Sequence, residues 1–120
     1  MRKFTTFLIM VATVCLISVT TTSAETKKEI SLDATVQTLL RLLSEPARDA
    51  IEDYYGEPRQ YWKDNIISVQ KVPNSSYYEV VMQVETFYGP HNPPYGIETM
   101  TFYVSYGEVM LKKFEHKGES

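Results

Sequence analysis

Apolar residues recur along this chain at two different periods, and the change from one to the other divides it. Leu32, Val36, Leu39, Leu40 and Leu43 fall at i, i+4, i+7, i+8 and i+11, the spacing that draws one stripe down an α-helix. Ser31 or Asp33 is placed to cap its start. Ser44-Glu45-Pro46 then punctuates the pattern, because Ser44 suits an N-cap and proline is tolerated only in a first helical turn. A second helix, or the first one kinked at Pro46, follows with Ala47, Ala50, Ile51 and Tyr54 on one face. Gly56 closes it, with Pro58 two residues beyond.

After a connector over 57–65 that carries Tyr61 and Trp62, the period becomes two. Residues 66–72 read as a strand and Pro73-Asn74-Ser75-Ser76 as a turn. Residues 77–88 form the longest strand pattern, rich in β-branched and aromatic types. Tyr78, Val80, Met82, Val84, Thr86 and Tyr88 share one side of it, and Glu79, Gln83 and Glu85 the other. An eight-residue loop over 89–96 leads to a third strand over 97–104, where Met100, Phe102 and Val104 alternate with polar neighbours. Ser105-Tyr106-Gly107-Glu108 is a tight turn, 109–116 a last strand, and 117–120 a polar tail. Short turns join consecutive strands into an antiparallel meander, whose apolar face needs the helical stripe as its cover. The expected fold class is therefore α+β, two N-terminal helices on one face of a four-stranded antiparallel sheet. In order of elements alone it is analogous to cystatin and NTF2-like folds.

The N-terminus changes the picture of where this domain works. Met1-Arg2-Lys3 is cationic, residues 7–19 are apolar, and Thr22 and Ala24 stand at −3 and −1 of a cut before Glu25. This is the layout of a secretory signal peptide, and the apolar run is too short for a span of ~20 residues. The expectation is a signal peptide over 1–24, cleaved after Ala24, then a flexible leader over 25–30 and a single domain over 31–116, in a secreted protein. Cys15 is the only cysteine and falls within the signal, so the mature chain has no disulfide to reinforce it. The whole chain holds 12 basic and 15 acidic side chains; without Arg2 and Lys3 the count is 10 against 15, a net charge of −5. Nothing resembles the concentrated positive patch that nucleic acid requires.

Candidate chemistry concentrates in Gly89-Pro90-His91-Asn92-Pro93-Pro94-Tyr95-Gly96, which holds three of the six prolines and one of the two histidines. Proline fixes its own φ and restricts the residue before it, so His91, Asn92 and Tyr95 are presented on a stiff frame that loses little entropy on binding. The same stiffness suits a structural clasp, with His91 bonded to a carbonyl, Asn92 in an Asx turn and Tyr95 folded over the sheet edge. Glu98 falls on the helix side by period two. A pairing of His91 with Glu98 beside Tyr88 would have the elements of acid–base chemistry. No nucleophilic cysteine or Gly-x-Ser-x-Gly elbow completes a hydrolytic set, no metal-ligand spacing occurs, and no cofactor is implied. Tyr54-Tyr55, Tyr61-Trp62 and Tyr77-Tyr78 come in pairs that enlarge the core or furnish contact surface.

Ala50-Ile51-x-x-Tyr54-Tyr55-Gly56, the run Thr86–Gly96 and Glu98-Thr99-Met100-Thr101-Phe102 together resemble domain-of-unknown-function family 3888, small exported proteins of Gram-positive spore-forming bacteria. The resemblance covers most of the mature chain. It implies a bacterial, exported setting, in which the Asn74-Ser75-Ser76 glycosylation pattern has no role, and it brings no activity, ligand or catalytic residue. The residues themselves favour a non-catalytic binding module that offers the loop, through His91, Asn92, Tyr95 and Glu98, to a protein, peptide or cell-wall partner. A small acid–base enzyme centred on His91 and Glu98, and a protease-inhibitor-like scaffold, are the alternatives.

Overall fold

The structure, a computed structural model, describes residues 29–118; the expected signal peptide and most of the leader lie outside the described residues. A compact unit begins at Leu32. Its elements are α1 (Leu32–Leu42), α2 (Ser44–Tyr55), β1 (Gln60–Lys71), β2 (Tyr78–Tyr88), β3 (Asn92–Ser105) and β4 (Glu108–Gly118). The four strands form one open antiparallel sheet in the order β1-β2-β3-β4, so the fold class is α+β as the periodicities indicate.

The helices part at Leu43, whose own backbone is still right-handed helical (φ −88°, ψ −2°). Ser44 provides no N-cap: its hydroxyl donates back to the Arg41 carbonyl at 2.8 Å. Leu40, Leu43, Ala47, Ala50 and Ile51 make a buried stripe that runs across the junction and packs on Val80, Met82, Val84, Met100 and Phe102. Leu32, the first position of the expected stripe, is 79% exposed. Tyr54 is half exposed, and Tyr55, four residues after Ile51, turns inward in its place. Gly56 takes φ +74° and donates its N–H to the Glu52 carbonyl at 2.8 Å, ending α2 in the left-handed conformation that glycine adopts at least cost.

Strand limits differ from expectation in three places. β1 starts at Gln60, inside the expected connector; Lys63 adopts φ +51° and a register shift between Trp62 and Asn65 breaks the two-residue period there. The eight-residue loop contracts to Gly89-Pro90-His91, and Asn92, Pro93 and Pro94 begin β3, with Tyr88 paired to Asn92 and a cis bond between the two prolines. β4 extends into the expected tail, pairing Lys117 with Ile97 and Gly118 with Gly96. A further shift lies between Thr101 and Phe102, where Thr101 opposes Lys113 but Phe102 opposes Leu111. Lys112 is the extra residue, and it changes which β4 side chains meet the helix side beyond it.

Candidate functional site

The helix side of the sheet ends in polar groups. Thr86 on β2 and Glu98 on β3 are both fully buried, in line with the apolar rows Val80-Met82-Val84 and Met100-Phe102. A buried carboxylate is costly unless its lone pairs are filled, and here three donors converge on it. Tyr55, from the end of α2, donates its O–H to Glu98 Oε1. Thr86 Oγ1 lies 3.1 Å from the same oxygen. His116, on β4 directly opposite Glu98, places Nδ1 at 2.9 Å from both carboxylate oxygens. The acceptor carboxylate assigns the Nδ1 proton to that ring.

Backbone makes room for this cluster. A Cβ on Gly96 would collide with Glu98 Oε1 and stand 2.7 Å from the Tyr55 hydroxyl and 2.8 Å from Thr86 Oγ1. Glycine is required there for close approach. Outside the cluster, Tyr54 stacks on Phe114 at 4.9 Å between ring centres and tilts against His116 at 5.0 Å. The Arg59 guanidinium covers the Tyr55 ring at 4.3 Å and donates to the Pro94 carbonyl. Burial pushes the Tyr55 phenol above its ordinary value near 10; the bond to Glu98 adds to the rise, and the Thr86 hydroxyl works against it.

A second group lies around the hairpin tip. His91 takes φ +64°, which is uncommon for a residue with a side chain. Its ring stacks on Phe87 at 4.3 Å and tilts against Trp62 at 4.6 Å. Tyr95 donates its hydroxyl to the His91 carbonyl at 2.7 Å, and Trp62 Nε1 donates to Glu85 at 2.8 Å. Tyr88, Asn92, Pro93 and Pro94 stay exposed. Beside them Glu57, Pro58, Arg59, Gln60, Phe87, Tyr88 and Gly89 line an open cleft of about 410 Å³.

The sequence-derived candidates are thus divided between the two groups. Glu98 is enclosed by Tyr55, Thr86 and His116 and offers no surface to a partner. His91 lies against aromatic rings, with no carboxylate in ion-pair reach among the described residues. Tyr88 is 53% exposed because the strand is irregular after Thr86, and Phe87 is buried instead. Asn92 and Tyr95 sit at the tip, Tyr95 as a tie to the backbone. The expected His91–Glu98–Tyr88 arrangement does not assemble. A carboxylate-oriented imidazole is an element of acid–base chemistry, but among the described residues the rings that contact His116 are those of Tyr54 and Tyr55. What the arrangement does visibly is join α2, β2, β3 and β4 at one point. Among the described residues no group of three or more His, Cys, Asp or Glu side chains could hold a metal ion.

Sequence reasoning missed Tyr55, Thr86 as a donor, and His116. The turn at Ser105-Glu108 alone would set Glu98 opposite Glu115; the extra residue Lys112 moves His116 into that position. One feature of the sequence carried this information: Val109 and Leu111 keep one phase, and Phe114 resumes three residues later instead of two.

Comparison with curated proteins and with solved structures found no match. The family model described as protein of unknown function (DUF3888) matches residues 36–117, from the middle of α1 to the end of β4, and the chain belongs to that family.

Proposed function

We propose that this chain is an exported, non-catalytic binding module, directed outward by residues 1–24 and presenting its proline corner to a protein, peptide or cell-wall partner. The observation that carries this reading is the way the corner is held. Its backbone is tied by the Tyr95 hydroxyl and by Arg59, and the His91 ring rests on Phe87 and Trp62. Tyr88, Asn92, Pro93 and Pro94 nevertheless remain exposed beside an open cleft. A surface already fixed in one conformation loses little entropy when a partner settles on it. His91 and Tyr95 act in this reading as supports, and Tyr88 and Asn92 as contacts.

A photo-reactive side chain at Asn92 tests the proposal against the same probe at Tyr106, which is 95% exposed in the β3–β4 turn. The expected result is a discrete cross-linked product from position 92 alone, lost when Tyr88→Ala is added and with the melting temperature unchanged. Equal labelling from both positions would remove the corner as the site. Export is tested separately, by recovering from the culture medium a chain whose first residue is Glu25.

A further inference from the structure

Positive charge is sorted by type in this protein. Among the described residues there are three arginines, Arg41, Arg48 and Arg59, and all three line one groove. None of the five lysines, Lys63, Lys71, Lys112, Lys113 and Lys117, lines it. The groove has a volume of about 830 Å³ and lies where α1, α2 and the start of β1 meet, with Leu40, Pro58 and Tyr61 as its apolar wall. Lysine is a hydrated point charge, whereas guanidinium is a flat fork that grips phosphate or carboxylate through two bonds and gives up its water more readily. A chain with more acidic than basic side chains that gathers its arginines in one concavity has built a local field opposite to its net charge.

The arginines are also positioned without being neutralised. No ion pair among the described residues involves any of them. Arg41 Nη1 is steadied by the Gln37 carbonyl at 3.0 Å. Arg59 is held by the Pro94 carbonyl and the Tyr55 ring, and its Nε is buried without a hydrogen-bond partner. Arg48 lies close enough to the Tyr61 phenol to oppose the upward shift that burial imposes on it. Glu52 and Asp64 line the same groove, so its formal balance is three positive charges against two negative. That balance disfavours a bare monovalent ion and leaves acceptors for hydroxyl or amine groups of a larger molecule.

We infer that this groove is a binding site for an organic anion bearing two or more phosphate or carboxylate charges, gripped by Arg41, Arg48 and Arg59 with its body against Leu40 and Tyr61. The site lies on the helix side of the connector and goes beyond the reading of the proline corner.

Titration calorimetry on the purified protein with inorganic pyrophosphate in one arm and citrate in the other tests the inference and separates the two chemistries. Saturable binding in the pyrophosphate arm assigns a phosphate ligand, and in the citrate arm a carboxylate ligand. Arg48→Gln and Arg41→Gln should each weaken that binding by about tenfold, the loss of one hydrogen bond to a charged group. The Lys112→Gln/Lys113→Gln double variant, which changes more charge, should leave it unaltered, and so should Asn92→Ala at the proline corner. Absence of saturation with both probes overturns the inference. So does binding that ignores Arg48→Gln, or that falls equally in the lysine variant. Arg59 is left intact because its loss would also release Pro94.

Discussion

Two polar groups sit within a few residues of each other on β3 and are built in opposite ways. Around Glu98 the protein encloses a carboxylate completely and satisfies it from three directions, with Tyr55, Thr86 and His116 drawn from three other elements. Around Pro93 it fixes the backbone from beneath and leaves the surface bare. In the first group every donor is consumed inside the molecule. The second spends its bonds on backbone carbonyls and ring faces and keeps Tyr88 and Asn92 for solvent. The contrast separates residues that hold the fold from residues free to do something else, and mutation should separate them by magnitude.

The largest effect should come from a single methyl group. In Gly96→Ala the new Cβ meets Glu98, the Tyr55 hydroxyl and Thr86 at once, and neither β2 nor β3 can withdraw without breaking a central ladder. Overpacking of a tight interior costs ~1–3 kcal/mol, and here it also separates a buried carboxylate from its donors. A loss of about 3 kcal/mol in urea denaturation is expected, the upper end of that range. A loss under ~0.5 kcal/mol, the size of an ordinary surface change, would mean the carboxylate has room and the cluster is not a clamp.

A smaller effect should appear at high pH. The Tyr55 phenol is raised by burial and by its bond to Glu98, so the folded state holds this proton more tightly than the unfolded chain. The stabilisation is fully present below the unfolded value near 10 and is lost as pH rises through the folded value. Unfolding free energy should therefore decline above about pH 10, and Tyr55→Phe should flatten part of that decline while costing about 2 kcal/mol at neutral pH, because it takes a donor from a buried carboxylate. Tyr61, raised by burial as well, retains its share of the alkaline slope in the variant. An alkaline limb unchanged by Tyr55→Phe would detach the phenol from the cluster's energetics.

Much of this architecture is legible in the sequence, and the exceptions within the strands fall at identifiable places. β2 and β3 are central strands with one face buried, so their two-residue alternation reads directly, and spacing alone puts Glu98 on the helix side. The helical stripe from Val36 to Ile51 is equally plain. In the sheet, failures fall where the register shifts or a backbone turns left-handed. Lys63 hides the start of β1, the irregularity after Thr86 exchanges Tyr88 for Phe87, and Lys112 brings His116 to Glu98. A one-residue shift moves every later side chain to the other face. Strand existence survives such a shift, and side-chain partnership does not. The proline-rich run reads as a long loop because proline cannot donate to a ladder, yet Asn92 to Pro94 lie in β3 with little need to donate. The arginine groove depends on residues from three elements, and no local pattern gathers them.

The smallest effects should lie at the proline corner, where two neighbouring substitutions divide support from contact. His91→Asn removes the ring from its contacts with Trp62 and Phe87 while retaining a side chain that tolerates the left-handed backbone at φ +64°. Its cost is then the ring contact alone, about 1 kcal/mol, free of the backbone strain that alanine would add. Asn92→Ala alters an exposed side chain with no tertiary hydrogen bond among the described residues, and should stay within ~0.5 kcal/mol of the parent. Measured together by thermal denaturation, the two variants set the corner's internal rigidity apart from its outward chemistry. Equal costs would mean that Asn92 is itself part of the support, and the surface left for a partner would shrink to Tyr88 and the cleft beside it.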